Sequence, residues 1–129
     1  LEMSKFPSRI DHDAANSPES QLIGEALQSN KKKALQASPI YYASKDDVPF
    51  LHIHGTNDQL VPYNQSVIFN KKLLEKGCSS TLITIKGGGH GGFKDEKIKD
   101  LSQNFFAKHL RNSEFDIKSQ TIKQSNSTD

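Results

Sequence analysis

Pro49-Phe50-Leu51-His52-Ile53-His54-Gly55, followed at 64–76 by a periodic segment and at 81–85 by Thr81-Leu82-Ile83-Thr84-Ile85, is the stretch whose reading decides the fold. Phe50, Leu51 and Ile53 make a compact apolar run closed by a proline and a glycine, the pattern of a buried strand. From Asn64 to Lys76 the spacing predicts a helix with Val67, Ile68, Leu73 and Leu74 facing inward and Gly77 as its stop. Leu82, Ile83 and Ile85, interleaved with Thr81 and Thr84, predict the second strand. Strand, crossover helix and neighbouring strand imply a right-handed parallel βαβ unit.

Working outward, Ser17 suits an N-cap and Pro18 the first helical position, so a short helix is expected through Leu22, Ile23, Ala26 and Leu27. Asn30 is expected to cap a second one over Lys31 to Ala37, and Pro39 to end it by disfavouring helical geometry at Ser38. The Lys31-Lys32-Lys33 run reads as a solvated helix face. Toward the other end, Ile98, Leu101, Phe105, Phe106 and Leu110 keep helical spacing, and Lys108, His109 and Arg111 suit the negative end of that helix dipole. Residues 112–129 are dominated by Ser, Asn, Gln, Thr and charge and are expected to lack fixed structure. No internal repeat is present.

Two loops follow the two strands: His54-Gly55-Thr56-Asn57-Asp58-Gln59-Leu60-Val61-Pro62, and Gly87-Gly88-Gly89-His90-Gly91-Gly92-Phe93. Open α/β sheets carry their functional groups at the carboxyl ends of strands, which is where Asp58 and His90 would lie. On residues alone, Asn57-Asp58 is an ordinary turn pair. The order and spacing of these motifs, with the approach Ser38-Pro39-Ile40-Tyr41-Tyr42-Ala43-Ser44-Lys45-Asp46-Asp47-Val48-Pro49 and the segment Ser17-Pro18-Glu19-Ser20-Gln21-Leu22-Ile23-Gly24, carry more than that. Over roughly residues 13–110 the chain resembles the carboxyl-terminal part of α/β-hydrolase esterases, in the BD-FAE-like branch of acetyl-xylan and feruloyl esterases and the related prolyl-oligopeptidase-like hydrolases.

The resemblance implies an α/β fold, the C-terminal portion of a three-layer αβα sandwich without its nucleophile-bearing part. It implies Asp58 as the acid and His90 as the base of a Ser-His-Asp triad, a small-molecule ester as substrate, and no cofactor. Residues 1–12 would be an N-terminal extension and 13–111 the partial hydrolase domain. The family's nucleophile sits in a G-x-S-x-G strand-to-helix turn. No such motif occurs here, and Gly77-Cys78-Ser79-Ser80-Thr81 fails at its fifth position. The nucleophile and the remaining sheet strands are therefore expected from an upstream polypeptide, with the chain inactive alone. A two-strand parallel unit is in any case a poor free-standing domain, because such strands are normally covered on both faces. A peptidase of the prolyl-oligopeptidase type and a non-catalytic hydrolase remnant acting as an interaction module remain the alternatives.

Composition narrows the rest. With 129 residues the chain is long enough for one domain, and its 33% hydrophobic content and mean hydropathy of -0.67 are low for a sheet covered on both faces. A net charge of +2 does not argue for nucleic-acid or membrane partners. Its single cysteine, Cys78, excludes an internal disulfide framework and reads as a half-buried residue after a helix. His52 and His54 alternate on one strand and so point the same way, but no third ligand stands at convincing spacing, and no metal is expected. His12, Asp13 and His109 read as surface residues. Asn64-Gln65-Ser66 and Asn126-Ser127-Thr128 match the glycosylation acceptor pattern. No run has transmembrane length and no signal peptide is visible, which leaves localisation open.

Overall fold

The computed structural model describes residues 3–124. After a short 3-10 turn at Met3–Lys5 come α1 (Pro18–Ile23), α2 (Lys31–Gln36), α3 (Pro39–Tyr42), β1 (Phe50–Gly55), α4 (Asn64–Glu75), β2 (Ser80–Lys86), α5 (Glu96–Arg111) and β3 (Gln120–Lys123). The strands form one parallel sheet in the order β1-β2-β3, with Ile53 opposite Ile83 and Ile85 opposite Ile122. It is an α/β arrangement, three parallel strands flanked by helices, as expected for part of an α/β-hydrolase sandwich.

Local chemistry sets the helix ends. The Ser17 hydroxyl accepts the Ser20 N–H at the start of α1, and Gly24 closes it at φ 78°. This stops α1 before Ala26 and Leu27, which the spacing had included. Asn30 caps α2 through the Lys33 N–H. Pro39 both keeps α2 from continuing and opens α3 at its first position, where the missing N–H costs nothing. Asp95 caps α5, and Asn112, in the left-handed conformation at φ 53°, ends it.

Side-chain alternation divides the sheet into two unlike faces. On one, Ile83, Ile85 and Ile122 meet Ile98 of α5, with Leu51, Ile53, Phe93 and Leu101 packed around them. The other face, under α4, is more polar. There the His52 ring stacks on Phe50 and meets the edge of Phe69, and its Nε2 lies 3.2 Å from the Ser80 hydroxyl, which donates to Asn70. Tyr63 reaches Thr84 at 2.6 Å.

Two expectations are corrected, one on α4 and one after α5. Of the four α4 residues read as inward, only Leu73 is fully buried, while Val67 and Leu74 are exposed; the helix is backed by a narrow sheet that covers only part of its circumference. On α5, Ile98 and Phe105 are buried but Phe106 and Leu110 are exposed for the same reason. Of the segment 112–129, expected to lack fixed structure, residues 120–123 form β3, because Ile122 caps the core beside Ile85 and the neighbouring backbone pairs with β2, while 125–129 lie outside the described residues. Among the described residues no helix is long and apolar enough to cross a membrane.

Candidate active site

Asp58 and His90 come from separate loops, one after β1 and one after β2, and parallel pairing of those strands brings both loops to the same edge of the sheet. The loops are joined by main-chain bonds, Thr56 N–H to Ile85 O and Asn57 N–H to Gly88 O. His90 Nδ1 lies 2.9 Å from Asp58 Oδ2. The ring is 55% exposed while the Asp58 side chain is 3% exposed, so the carboxylate is hidden and the imidazole is presented.

The Asp58 carboxylate is fixed from every side. Its Oδ1 accepts the N–H groups of Leu60 and Val61, each at 2.9 Å, in the local turn that Asp side chains favour. Its Oδ2 accepts from His90 and, at 3.0 Å, from His54 Nε2. Burial works to raise the pKa of this group. The Val61 N–H, the His90 ring and the Leu60 N–H outweigh it and hold the carboxyl down at about 2. It is an anion at neutral pH. With Nδ1–H donated to that anion, the neutral His90 ring carries its basic lone pair on Nε2.

The surrounding cleft, about 270 Å³, is lined by Ile53, His54, Asp58, Val61, His90, Gly91 and Phe93. A larger cavity of about 350 Å³ lies between α2–α3 and α4, but Leu35, Pro39, Ile40, Ile68 and Phe69 make it apolar and it holds no titratable side chain. The buried Asp58 carboxylate and the His54 and His90 imidazoles line the smaller cleft instead.

The other singled-out residues fall elsewhere. Cys78 is buried, its thiol pushed up by burial and then by Asp47. The Gly77 to Thr81 segment joins α4 to β2, so it is a helix-to-strand turn at the amino end of the strand, the reverse of a nucleophile turn and away from His90. His52 and His54 share a face, as alternation requires, but bond different partners; burial first, then His54, lowers the His52 pKa. Among the described residues no three His, Cys, Asp or Glu side chains are grouped to hold a metal. Asn64-Gln65-Ser66 is the first turn of α4, with the Ser66 hydroxyl engaged by His54; Asn126 lies outside the described residues. His109 is half-buried against Phe105.

Reading missed two features. His12 is not a surface residue: it is 2% exposed, with Nδ1 3.0 Å from Glu19 Oε1 and Nε2 3.1 Å from the Ser8 hydroxyl. Ser8 also donates toward the Gln59 and Leu60 carbonyls, and Arg9 N–H bonds Gln59 O at 2.7 Å. Although it is a serine, imidazole and carboxylate in series, the ring is closed to solvent and the hydroxyl is tied to the main chain, so the group straps residues 8–12 to the Asp58 loop. The second feature is His54, which reads as a strand-end residue yet bonds Asp58. The signal was its place four residues before the acid across a tight turn.

The chain as a whole is similar to known proteins. The BD-FAE family model matches residues 1–73. A truncated form of carbohydrate esterase from gut microbiota is 32% identical, with a TM-score of 0.70 over 81% of this chain and 40% of that one. A bifunctional GH43-CE protein of Bacteroides eggerthii is 34% identical, with a TM-score of 0.71 over 84% of this chain and 15% of that one. The chain thus spans less than half the length of either solved structure. No curated protein matches it.

Proposed function

The chain belongs to the BD-FAE family, and from that membership we propose that it carries the acid and base of a serine carboxylic-ester hydrolase acting on acylated carbohydrates. The observation that supports this most directly is the 2.9 Å contact between His90 Nδ1 and the buried Asp58 carboxylate. In the proposed reaction a serine hydroxyl attacks the ester carbonyl and His90 Nε2 takes its proton. Asp58 holds the ring in the Nδ1–H tautomer and stabilises the imidazolium that forms. His90 then returns the proton to the departing alcohol, and in the second half activates water against the acyl-enzyme. The nucleophile and the oxyanion donors are assigned to polypeptide outside this sequence, which also supplies further sheet strands. One of the two solved relatives is described as a carbohydrate esterase, and this favours an ester over a peptide substrate.

The test is reconstitution. The chain is fused to, or mixed with, an upstream family segment bearing a G-x-S-x-G turn, and acetate release from acetylated xylan and from an activated acetate ester is measured. Activity is expected only in the assembled protein, with His90→Ala lowering kcat by roughly 10³-fold or more, since triad members act as a unit. Turnover in the chain alone that vanishes in His90→Ala would place a nucleophile within this sequence. An assembled enzyme indifferent to His90→Ala would refute the assignment.

A further inference from the structure

Resting on the reading of Asp58 as the acid, we infer that His54, with its tautomer set by Ser66, is a positioning residue that presents Asp58 Oδ2 to His90. His54 Nε2 lies 3.0 Å from Asp58 Oδ2 and 3.0 Å from the carbonyl oxygen of Val61. A carbonyl can only accept, so the proton of this ring sits on Nε2, shared between the two oxygens. In the neutral ring Nδ1 is then an acceptor, and the Ser66 hydroxyl, 2.6 Å away, is its donor. Ser66 stands in the first turn of α4 and His54 near the end of β1, so the relay ties the carboxylate to two regular elements rather than to a loop. The ring is held further by the edge of Tyr63, with centroids 5.8 Å apart, and its side chain is only 12% exposed.

The consequence is a carboxylate oriented independently of His90. Two backbone N–H groups fix Oδ1, and His54 fixes Oδ2. His90, more than half exposed on a loop with Gly91 and Gly92 at φ near 70°, docks on an oxygen already in place. One anion oxygen thus serves two imidazoles with different duties. His90 faces the cleft and exchanges protons, whereas His54 keeps its Nε2 proton and holds geometry. A geometry enforced by surrounding groups, rather than by the reacting group, is what lets a catalytic pair act without reorganisation.

NMR on the isotopically labelled full chain tests this without needing activity. In the wild-type chain the ring nitrogens of His54 are expected to report a protonated Nε2 and a bare Nδ1. The Asp58 carboxyl carbon is titrated in His54→Phe, which has no donor, and in His54→Gln, which keeps one. The midpoint is expected to rise by about one pH unit in His54→Phe and to stay within about 0.3 in His54→Gln, because a hydrogen bond to the charged form favours it. Ser66→Ala is expected to give His54 a mixed tautomer, and Ser66→Thr to keep the single one; these two decide the matter if His54→Phe does not fold. A wild-type ring protonated on Nδ1, equal Asp58 midpoints in the Phe and Gln variants, or an unchanged tautomer in Ser66→Ala would overturn the inference. Such a result would leave the esterase proposal standing, since reconstituted activity tests Asp58 and His90 directly. Loss of the esterase proposal alone would leave these titrations unchanged.

Discussion

Gly55 and Gly88 pack backbone against backbone: a Cβ placed on Gly55 would overlap the Gly88 carbonyl and the carbonyl oxygen of Gly89. This close approach lets the end of β1 lie beside the glycine loop after β2, and it is flanked by the bonds from Thr56 to Ile85 and from Asn57 to Gly88. A main-chain obstacle cannot rotate aside as a side chain can. Gly55→Ala is therefore expected to destabilise the chain by about 3 kcal/mol, the upper part of the overpacking range, and to pull His90 away from Asp58. Gly89 has open space at its Cβ position and no positive φ, so Gly89→Ala is expected to stay within about 0.5 kcal/mol of wild type. Urea unfolding of both variants checks the contrast; equal effects would mean the loops are not in contact.

Asp58 makes stability depend on pH in a definite direction. Its folded pKa is depressed from 3.8 to about 2, so the folded state favours the anion and binds fewer protons than the unfolded chain. The stabilisation is full above the unfolded value and is lost as pH falls from about 4 to about 2. For this buried group the difference corresponds to about 2 kcal/mol. Asp58→Asn keeps the shape without the charge. The difference between wild type and Asp58→Asn in urea midpoint is expected to shrink across that window, and a difference constant from pH 5 to 2 would contradict the assignment.

Sequence patterning fell short where burial is settled by neighbours rather than by the segment itself. The two strands, the crossover helix and the meeting of Asp58 with His90 were legible because apolar runs, capping residues and the H-G and glycine-histidine motifs are local signals. His12 was not, since its burial depends on Glu19 and Ser8 converging across a turn with no periodic pattern. Nor was β3, whose four residues contain one apolar side chain between Thr121 and Lys123. Ile122 nevertheless is 7% exposed and packs with Ile83 and Ile85. Ile122→Ala is expected to cost about 2–3 kcal/mol, the low end for a buried isoleucine because the site is at a sheet edge that can partly collapse. Lys123→Ala, exposed on the same strand, should be near neutral. Thermal unfolding of the pair decides whether β3 belongs to the core.

The outer edge of β1 carries the last prediction. Phe50 N–H donates to Ser79 O and Thr56 N–H to Ile85 O. By the alternation of a parallel ladder His52 and His54 also point their N–H groups at β2, while those of Leu51 and Ile53 point the other way. Among the described residues β1 pairs with β2 alone, and its side chains are half-buried apart from the buried Gly55. Amide exchange is therefore expected to split by parity, slow at His52 and His54 and at least tenfold faster at Leu51 and Ile53. An exposed strand edge of this kind is a template for another strand. If upstream polypeptide completes the sheet, adding it should slow Leu51 and Ile53 selectively and leave His52 and His54 nearly unchanged. Uniform protection of all four amides in a monomeric chain would show that the edge is already covered, and the need for additional strands would fall with it.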